Sequence, residues 1–200
     1  MNSKILVIDC TSGNKLHFME FVQPILDAIP NKTKAIVVHY PKLSEKHIKN
    51  SDAIILTGTS LADNAFLKHA QKFGFLRNCE KPVLGICAGM QIIAKVFGAK
   101  IEVSKSPEIG NIKIRILKDD LLFAGLGKEL PGTESSKNEF TAYCLHNNSA
   151  TLPKNFELFA SSQQCKVQAF RHKSKQIYGV EFHPEIGDKK VLRNWLATLH

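Results

Sequence analysis

The stretch "PVLGICAGMQIIAKVFGAK", residues 82–100, constrains the fold more than any other part of the chain. Its first part, Val83 to Ile86, is a short apolar run typical of a parallel strand that is covered on both faces. From Gly89 the apolar residues recur at helical spacing, and Gly98 fits a helix C-cap. The chain must therefore turn from strand to helix within about two residues, with Cys87 at the corner.

Cys87 has two interpretations at this corner. A tight strand-to-helix turn strains the backbone and exposes the side chain above the sheet edge, as in a nucleophile elbow. Gly85 and Gly89 would let other backbone approach, and the N–H groups at the helix start would favour a thiolate and receive an oxyanion. Alternatively, Cys87 is a small buried hydrophobe, as most free cysteines are.

Strand and helix patterns alternate through the first half of the chain, which predicts an α/β fold with a doubly wound, mostly parallel sheet and right-handed crossovers. The predicted strands are Ile5–Asp9, Ala35–Tyr40, Ala53–Thr57 and Val83–Ile86, and the predicted helices between them are Leu16–Ile29, Leu43–Asn50 and Leu61–Arg77. The first helix is expected to bury one apolar face, formed by Leu16, Met19, Val22, Ile25, Leu26 and Ile29.

The second half reads as additional strands joined by turn-rich links, the most polar of which is Gly127 to Asn138. The predicted strands are Ile101–Val103, Ile112–Leu117, Ala142–Leu145, Phe156–Ala160, Val167–Arg171 and Gln176–Phe182, followed by a final helix, Lys189–Leu199. We find no domain boundary and expect one domain over residues 1–200. Because sites in open α/β sheets form at the carboxyl ends of strands, Cys10, Gly58 and Cys87 should share one edge.

Composition narrows the class of protein. With 44% hydrophobic and 22% charged residues the chain is an ordinary globular one, and its uncharged runs fall well short of the ~20 residues of a membrane span, so we expect a cytoplasmic protein without a membrane partner. Five cysteines without a C-x-x-C pair argue against disulfides and against a metal site. The net charge of +9 is spread over many lysines without interleaved aromatic residues, which favours a solvated surface over a nucleic-acid interface.

The segment "GVEFHPE", residues 179–185, offers what a thiol nucleophile needs: a base and a group that orients it. Strand alternation puts Glu181 and His183 on one face, and Pro184 turns the chain so that Glu185 can fold back. A histidine between two carboxylates is held in one tautomer and is stabilised as imidazolium. Taken alone such a histidine is more often structural, but a cysteine at an elbow reverses that expectation.

Together, G-I-C-x-G-x-Q after an apolar strand and G-V-x-F-H-P-E near the C-terminus resemble the class I (triad) glutamine amidotransferase family. The resemblance runs through "AIILTGTS", "PEIGNIKI", "LLFAGL", "CLHNNS" and the last helix. Among its branches, the chain is most similar to the separate glutaminase subunits of archaeal-type GMP synthases. The resemblance implies a flavodoxin-like sheet, with Cys87 as nucleophile, His183 as base and acid, and Glu185 rather than Glu181 as orienter.

The same resemblance assigns the groups that hold the substrate. The backbone N–H of Ala88 and the Gly58–Thr59 peptide would form the oxyanion hole. Gln91 would help hold the α-substituents of a substrate glutamine. The segment Leu145, His146 and Asn147 would hold the same substrate through its backbone, so His146 is implied to bind rather than to act as a second base.

The implied reaction is hydrolysis of the side-chain amide of L-glutamine through a Cys87 thioester, and it requires no metal or organic cofactor. The chain has no P-loop pattern, so the partner that the family implies is a separate ATP-dependent synthetase subunit. The family usually has two glycines and a proline where this chain reads Thr57-Gly58-Thr59-Ser60, from which we expect a loop that is inactive until a partner reshapes it. Two alternatives remain: a stand-alone γ-glutamyl hydrolase with the same triad, and a non-enzymatic stress or redox protein that uses the cysteine as a sensor.

Overall fold

The computed structural model describes residues 3–127 and 138–199. Five strands of its sheet are parallel neighbours: β1 (Lys4–Asp9), β2 (Lys34–His39), β3 (Ala53–Leu56), β4 (Val83–Ile86) and β9 (Ile177–Val180). The other four are antiparallel: β5 (Ile101–Ile116), β6 (Glu139–Ala150), β7 (Phe156–Ser161) and β8 (Ala169–His172). The order across the sheet is β2-β1-β3-β4-β9-β8-β7-β5-β6. The expectation of a mostly parallel sheet with antiparallel additions is confirmed.

The parallel registers bring the predicted residues to one edge. Cys10 follows β1, Gly58 lies two residues beyond the end of β3, and Cys87 follows β4, so all three stand at carboxyl ends. The strand β9 pairs with β4 in the same direction, with Gly85 opposite Gly179. Its carboxyl end therefore delivers residues 181–185 to the same edge, as a topology of this kind requires.

The first helical segment does not follow the predicted pattern. It consists of α1 (Lys15–His17), a π-helical turn (Phe18–Val22) and α2 (Gln23–Leu26). The wider turn shifts the helical phase, so Leu16 and Met19 are exposed rather than buried, and Phe21 packs inward instead. The predicted burial of Leu16 and Met19 is wrong because the residue spacing assumed a regular α-helix throughout.

The predicted helix Leu61–Arg77 is also wrong in kind. The structure has a short α4 (Ala65–Lys68) followed by a 3-10 helix (Ala70–Asn78). A turn at Asp63, whose N–H donates to the carbonyl of Ser60 at 3.0 Å, delays the helix start. Gly74 lies inside the 3-10 segment, where it weakens regular helix.

The remaining helices lie close to their predicted positions: α3 (Glu45–Lys49), α5 (Ala88–Val96) and α6 (Lys190–Ala197), with short 3-10 turns at Tyr40–Lys42 and Leu121–Phe123. The strands expected at 101–103 and 112–117 form one strand, β5, with an irregular register between Val103 and Glu108 where it pairs with β6. The polar link Gly127 to Asn138 lies, apart from its two end residues, outside the described residues.

Hydrophobic clusters cover both faces of the sheet. On one face, Trp195 of α6 packs into the cluster that contains Ile86 and Phe182. On the other, α5 buries Met90 and Ile93. No helix within residues 3–127 and 138–199 is long and apolar enough to cross a bilayer.

Candidate active site

Cys87 lies between β4 and α5 in a backbone conformation that side chains rarely adopt. Its φ is 47° and its ψ is −105°. Hydrogen bonds fix this conformation from both sides: the Cys87 N–H donates to the carbonyl of Val180 at 2.7 Å, and the Gly89 N–H donates to that of Thr57 at 3.1 Å. Surrounding structure thus over-determines a strained residue, which is the condition under which such strain persists at functional sites.

The glycines on either side of Cys87 are required by close packing. A Cβ on Gly89 would lie 2.4 Å from the carbonyl oxygen of Leu56, and one on Gly85 would lie 2.6 Å from the backbone of Gly89. The sequence expectation that these positions allow close backbone approach is confirmed. The elbow exists because strand and helix can meet without side chains between them.

His183 is paired with a carboxylate. Its Nδ1 lies 2.8 Å from Oε1 of Glu185, and both side chains are buried. The other ring nitrogen, Nε2, has no close hydrogen-bond partner among the described residues. Contact with Glu185 places the proton of a neutral ring on Nδ1 and leaves Nε2 free to accept one. This is the tautomer that a base for Cys87 needs.

The His183 ring is confined by its neighbours. Its centroid lies 5.7 Å from that of Phe21 and 6.4 Å from that of Tyr143, whose carbonyl accepts the His183 N–H at 2.8 Å. Gly58 lies against the ring edge, because a Cβ there would approach Cε1 to 2.6 Å. The same Cβ would lie 3.5 Å from Cβ of Cys87, so Gly58 sits beside both side chains.

The electrostatics of the pair favour a proton on the ring. Burial lowers the pKa of His183, but Glu185 and Cys87 outweigh it and hold that pKa well above its ordinary value. Burial raises the pKa of the Cys87 thiol, against the opposing effect of His183. The expectation that the helix start favours a thiolate is therefore corrected: desolvation dominates, and the thiol depends on His183 to take its proton.

The substrate-side residues named from the sequence lie around one shallow depression beside Cys87. Its lining includes Thr59, Ala88, Gln91, Leu145, His146 and Asn147. The thiol lies 3.7 Å from the carbonyl oxygen of Leu145. Because Ala88 is the first residue of α5, its N–H has no acceptor within the helix, as an oxyanion donor requires.

The loop after β3 holds the Gly58–Thr59 peptide in one orientation. The Thr57 hydroxyl donates to the Gly58 carbonyl at 3.0 Å, and the Thr59 hydroxyl donates to the carboxylate of Asp63 at 2.9 Å. In a trans peptide the carbonyl and the following N–H point in opposite directions. The Thr57 hydroxyl therefore also fixes the direction of the Thr59 N–H.

His146 is engaged by other groups and not by the thiol. Its Nε2 lies 3.1 Å from Oε2 of Glu108, and its Nδ1 lies 2.9 Å from the carbonyl oxygen of Asn148. Burial lowers the pKa of His146, but Glu108 and Glu181 outweigh it and raise that pKa. With acceptors at both nitrogens, His146 is placed as a structural cation rather than as a base for Cys87.

Sequence reasoning missed the buried polar network behind the depression. Glu108 accepts hydrogen bonds from Ser162 at 2.6 Å and from Gln168 at 2.5 Å, in addition to its contact with His146. Donor atoms of Glu108, Cys144 and His146 lie within 4.8 Å of one another, a grouping that a metal ion could use. Both Glu108 oxygens already have hydrogen-bonding partners, however. The only sequence signal was a lone glutamate in "PEIG", which spacing alone cannot assign.

Fold and site place the chain among α/β proteins with a cysteine, a histidine and a carboxylate at the carboxyl ends of a mostly parallel sheet. The sequence matches the family "Glutamine amidotransferase class-I" over residues 16–198. The chain therefore belongs to the class I glutamine amidotransferases.

Several curated relatives are glutamine-hydrolyzing subunits of GMP synthase. The chain is 31% identical to the one from Methanobrevibacter smithii over 91% of its length and 86% of that protein's. It is 35% identical to the Methanococcus aeolicus protein over 79% of its length and 86% of that protein's. A match of 41% identity to the Methanosphaera stadtmanae protein spans about half of each chain, 54% of both.

Solved structures agree with the fold. A putative GMP synthase subunit from Thermoplasma acidophilum superposes with a TM-score of 0.82 at 28% identity, covering 100% of this chain and 94% of that one. A glutamine amidotransferase from Thermotoga maritima has a TM-score of 0.70 at 22% identity, covering 99% and 82%, a likeness of fold alone.

Proposed function

We propose that this chain hydrolyses the side-chain amide of L-glutamine through a thioester on Cys87 and supplies the ammonia to a separate ATP-dependent synthetase subunit. The observation that carries the proposal is the 2.8 Å contact between His183 and Glu185 beside the strained Cys87 elbow. A cysteine used only as a sensor needs no base with an oriented ring. The names of the curated relatives support a GMP synthase as the complex.

The chemistry follows from the positions of the groups. His183 takes the thiol proton through Nε2, and the Cys87 sulfur attacks the carbonyl carbon of the glutamine side chain. The N–H groups of Ala88 and Thr59 stabilise the oxyanion that develops. His183 then donates its proton to the departing ammonia, and Glu185 stabilises the imidazolium between these steps. Water attacks the thioester, His183 again takes a proton, and glutamate leaves.

The loop at Thr57–Thr59 makes a partner-dependent activity part of this proposal. If the held orientation points the Thr59 N–H away from the oxyanion, the isolated chain binds glutamine but hydrolyses it slowly, because loss of one oxyanion donor typically costs ~10² to 10³ in rate. A synthetase that docks over the strand-end edge would break the Thr57 hydrogen bond and turn the peptide, with Gly58 absorbing the backbone change. Ammonia would then be released only when an acceptor is ready.

The test measures glutamate and ammonia formation by the pure chain, alone and with a candidate synthetase, its acceptor nucleotide and ATP. We expect slow hydrolysis by the chain alone and a rise of ~10² or more with the full set. Full activity of the isolated chain, unchanged by any partner, would instead establish a stand-alone γ-glutamyl hydrolase. No hydrolysis under any condition would refute the enzymatic proposal.

A further inference from the structure

The amide of Gln91 is held by its nitrogen. Gln91 lies one helical turn after Cys87, lines the depression beside it and is buried. Its Nε2 donates to Oε1 of Glu181 at 2.5 Å, whereas its Oε1 has no hydrogen-bond partner in the part of the chain that the structure describes. A carboxylate only accepts hydrogen bonds, so the amide cannot turn over and keep this contact. Glu181 therefore fixes which end of the amide remains available.

A buried acceptor without a partner indicates a missing donor. Leaving a buried amide oxygen unpaired costs free energy, so native proteins satisfy nearly all such atoms. The Gln91 oxygen stands among the residues that surround the nucleophile, where the substrate must lie. The group that completes it must carry N–H or O–H, and the α-ammonium of an amino acid is the strongest donor of that kind on glutamine.

The setting of Glu181 shows that its side chain serves this contact. The side chain is fully buried, and its backbone N–H donates to the carbonyl of Gln168 at 2.8 Å. Its second oxygen, Oε2, has no partner among residues 3–127 and 138–199, and the nearest cation, His146, is 3.9 Å from Oε1. Within these residues, Gln91 is thus the one close side-chain donor to this carboxylate. A negative charge directly behind Gln91 also favours a cation in front of it.

We propose that Glu181 is a positioning residue that holds the Gln91 amide with its oxygen toward the depression, and thereby selects substrates that carry an α-ammonium group. The inference rests on the proposed function, because it assumes that glutamine occupies the depression. Glu181 does not touch the reacting atoms. It acts through Gln91, while Glu185 serves His183.

The experiment measures ligand binding without requiring turnover. Iodoacetamide alkylates Cys87 but has no amino-acid end, so its rate reports the thiol itself, followed on the Cys87 peptide by mass spectrometry. Protection by L-glutamine and by glutaramate, the same molecule without the α-amino group, gives two dissociation constants and their ratio. The variants are Glu181→Leu, which removes the acceptor, and Glu181→Gln, which keeps an acceptor oxygen.

We expect Glu181→Leu to weaken glutamine binding by about 10- to 100-fold, the usual effect of losing one charge-assisted hydrogen bond. Glutaramate binding and the alkylation rate should stay within about threefold, and Glu181→Gln should keep most of the preference for glutamine, since an amide oxygen still accepts from Gln91. In a Gln91→Leu background, Glu181→Leu should have no further effect on the ratio, as expected for a residue that acts through another.

An unchanged ratio in Glu181→Leu, or an equal loss for both ligands, would overturn the inference. Should Glu181→Leu fail to fold, Glu181→Asp withdraws the acceptor by one methylene and keeps the charge, and the same ratio decides. A failure of the proposed function looks different: glutamine would then not protect Cys87 in the wild-type protein, and the inference would fall with it.

Discussion

Replacing Glu181 with glutamine should change how the stability of the protein depends on pH. The side chain is fully buried. Burial raises the pKa of Glu181 from 4.5 to about 7, against the opposing effects of His146 and of the hydrogen bond from Gln91. Glutamine has nearly the same shape and keeps an acceptor for Gln91, but it does not titrate. The variant therefore isolates the free energy of ionising this one carboxyl group.

The sign follows from which state holds the proton. Between pH 4.5 and about 7 the unfolded chain has lost the Glu181 proton and the folded protein still binds it, so wild-type stability falls as pH rises. The fall is about 1.4 kcal/mol per pH unit in this window and ends above the folded pKa. Integrated from pH 5 to pH 8, wild type should lose about 2.5 kcal/mol relative to Glu181→Gln. For a chain of this length, that corresponds to roughly 6 °C in melting temperature.

Urea unfolding of both proteins at pH 5, 6, 7 and 8 tests this expectation. The difference in the free energy of unfolding should grow in favour of Glu181→Gln between pH 5 and pH 7, then level off. The matched control is Glu102→Gln on an exposed position of β5, for which the curves of variant and wild type should run parallel. Parallel curves for Glu181→Gln as well would show that this carboxyl group is not desolvated as the structure indicates.

Three further predictions concern activity. Cys87→Ser should abolish glutamine hydrolysis with the fold intact, because a hydroxyl is far less acidic than a thiol and His183 cannot supply a ready anion. Glu185→Gln should cost far more turnover than Glu181→Gln, up to ~10⁴-fold by analogy with the serine-protease triad, because only Glu185 contacts His183. Gly58→Ala should depress turnover strongly, because the added Cβ would lie 2.6 Å from the catalytic ring and displace it.

Each of these changes is measured by glutamate release together with circular dichroism, which separates lost chemistry from lost fold. Cys79→Ala, a cysteine remote from the strand-end edge in sequence and structure, is the control for the first and should keep activity. Retained turnover in Cys87→Ser would remove the thioester mechanism. Equal effects of the two glutamate variants would identify the wrong carboxylate as orienter, and a silent Gly58→Ala would contradict the close packing of the ring.

Local pattern was enough to predict the elbow and the sheet edge. The run from Val83 to Gly98 could form only a strand and a helix with Cys87 between them, and the structure has β4 and α5 there. Parallel strands carry their carboxyl ends to one edge whatever the loops do, so residues after β1, β3 and β4 had to meet. Patterns of this kind depend on near neighbours in the chain, which the sequence displays directly.

Helix phase and helix type were decided by tertiary structure. The residue spacing over 16–29 was compatible with a regular amphipathic helix, yet a π turn rotates Leu16 and Met19 to solvent while Phe21 packs against His183. One inserted residue per turn changes every position that follows, and nothing in the local spacing marks it. The same limit applies to residues 61–77, where a turn at Asp63 and a 3-10 helix replace the expected helix.

The division of labour between the two glutamates shows what only the folded chain decides. Sequence alternation placed Glu181 and His183 on one face, and both Glu181 and Glu185 were within reach of the ring. The parallel pairing of β9 with β4 instead sets Glu181 against Gln91 of α5, 90 positions away in sequence, and leaves Glu185 to His183. Residue types and spacing determine which groups reach the edge of the sheet; the register between distant strands determines which of them touch.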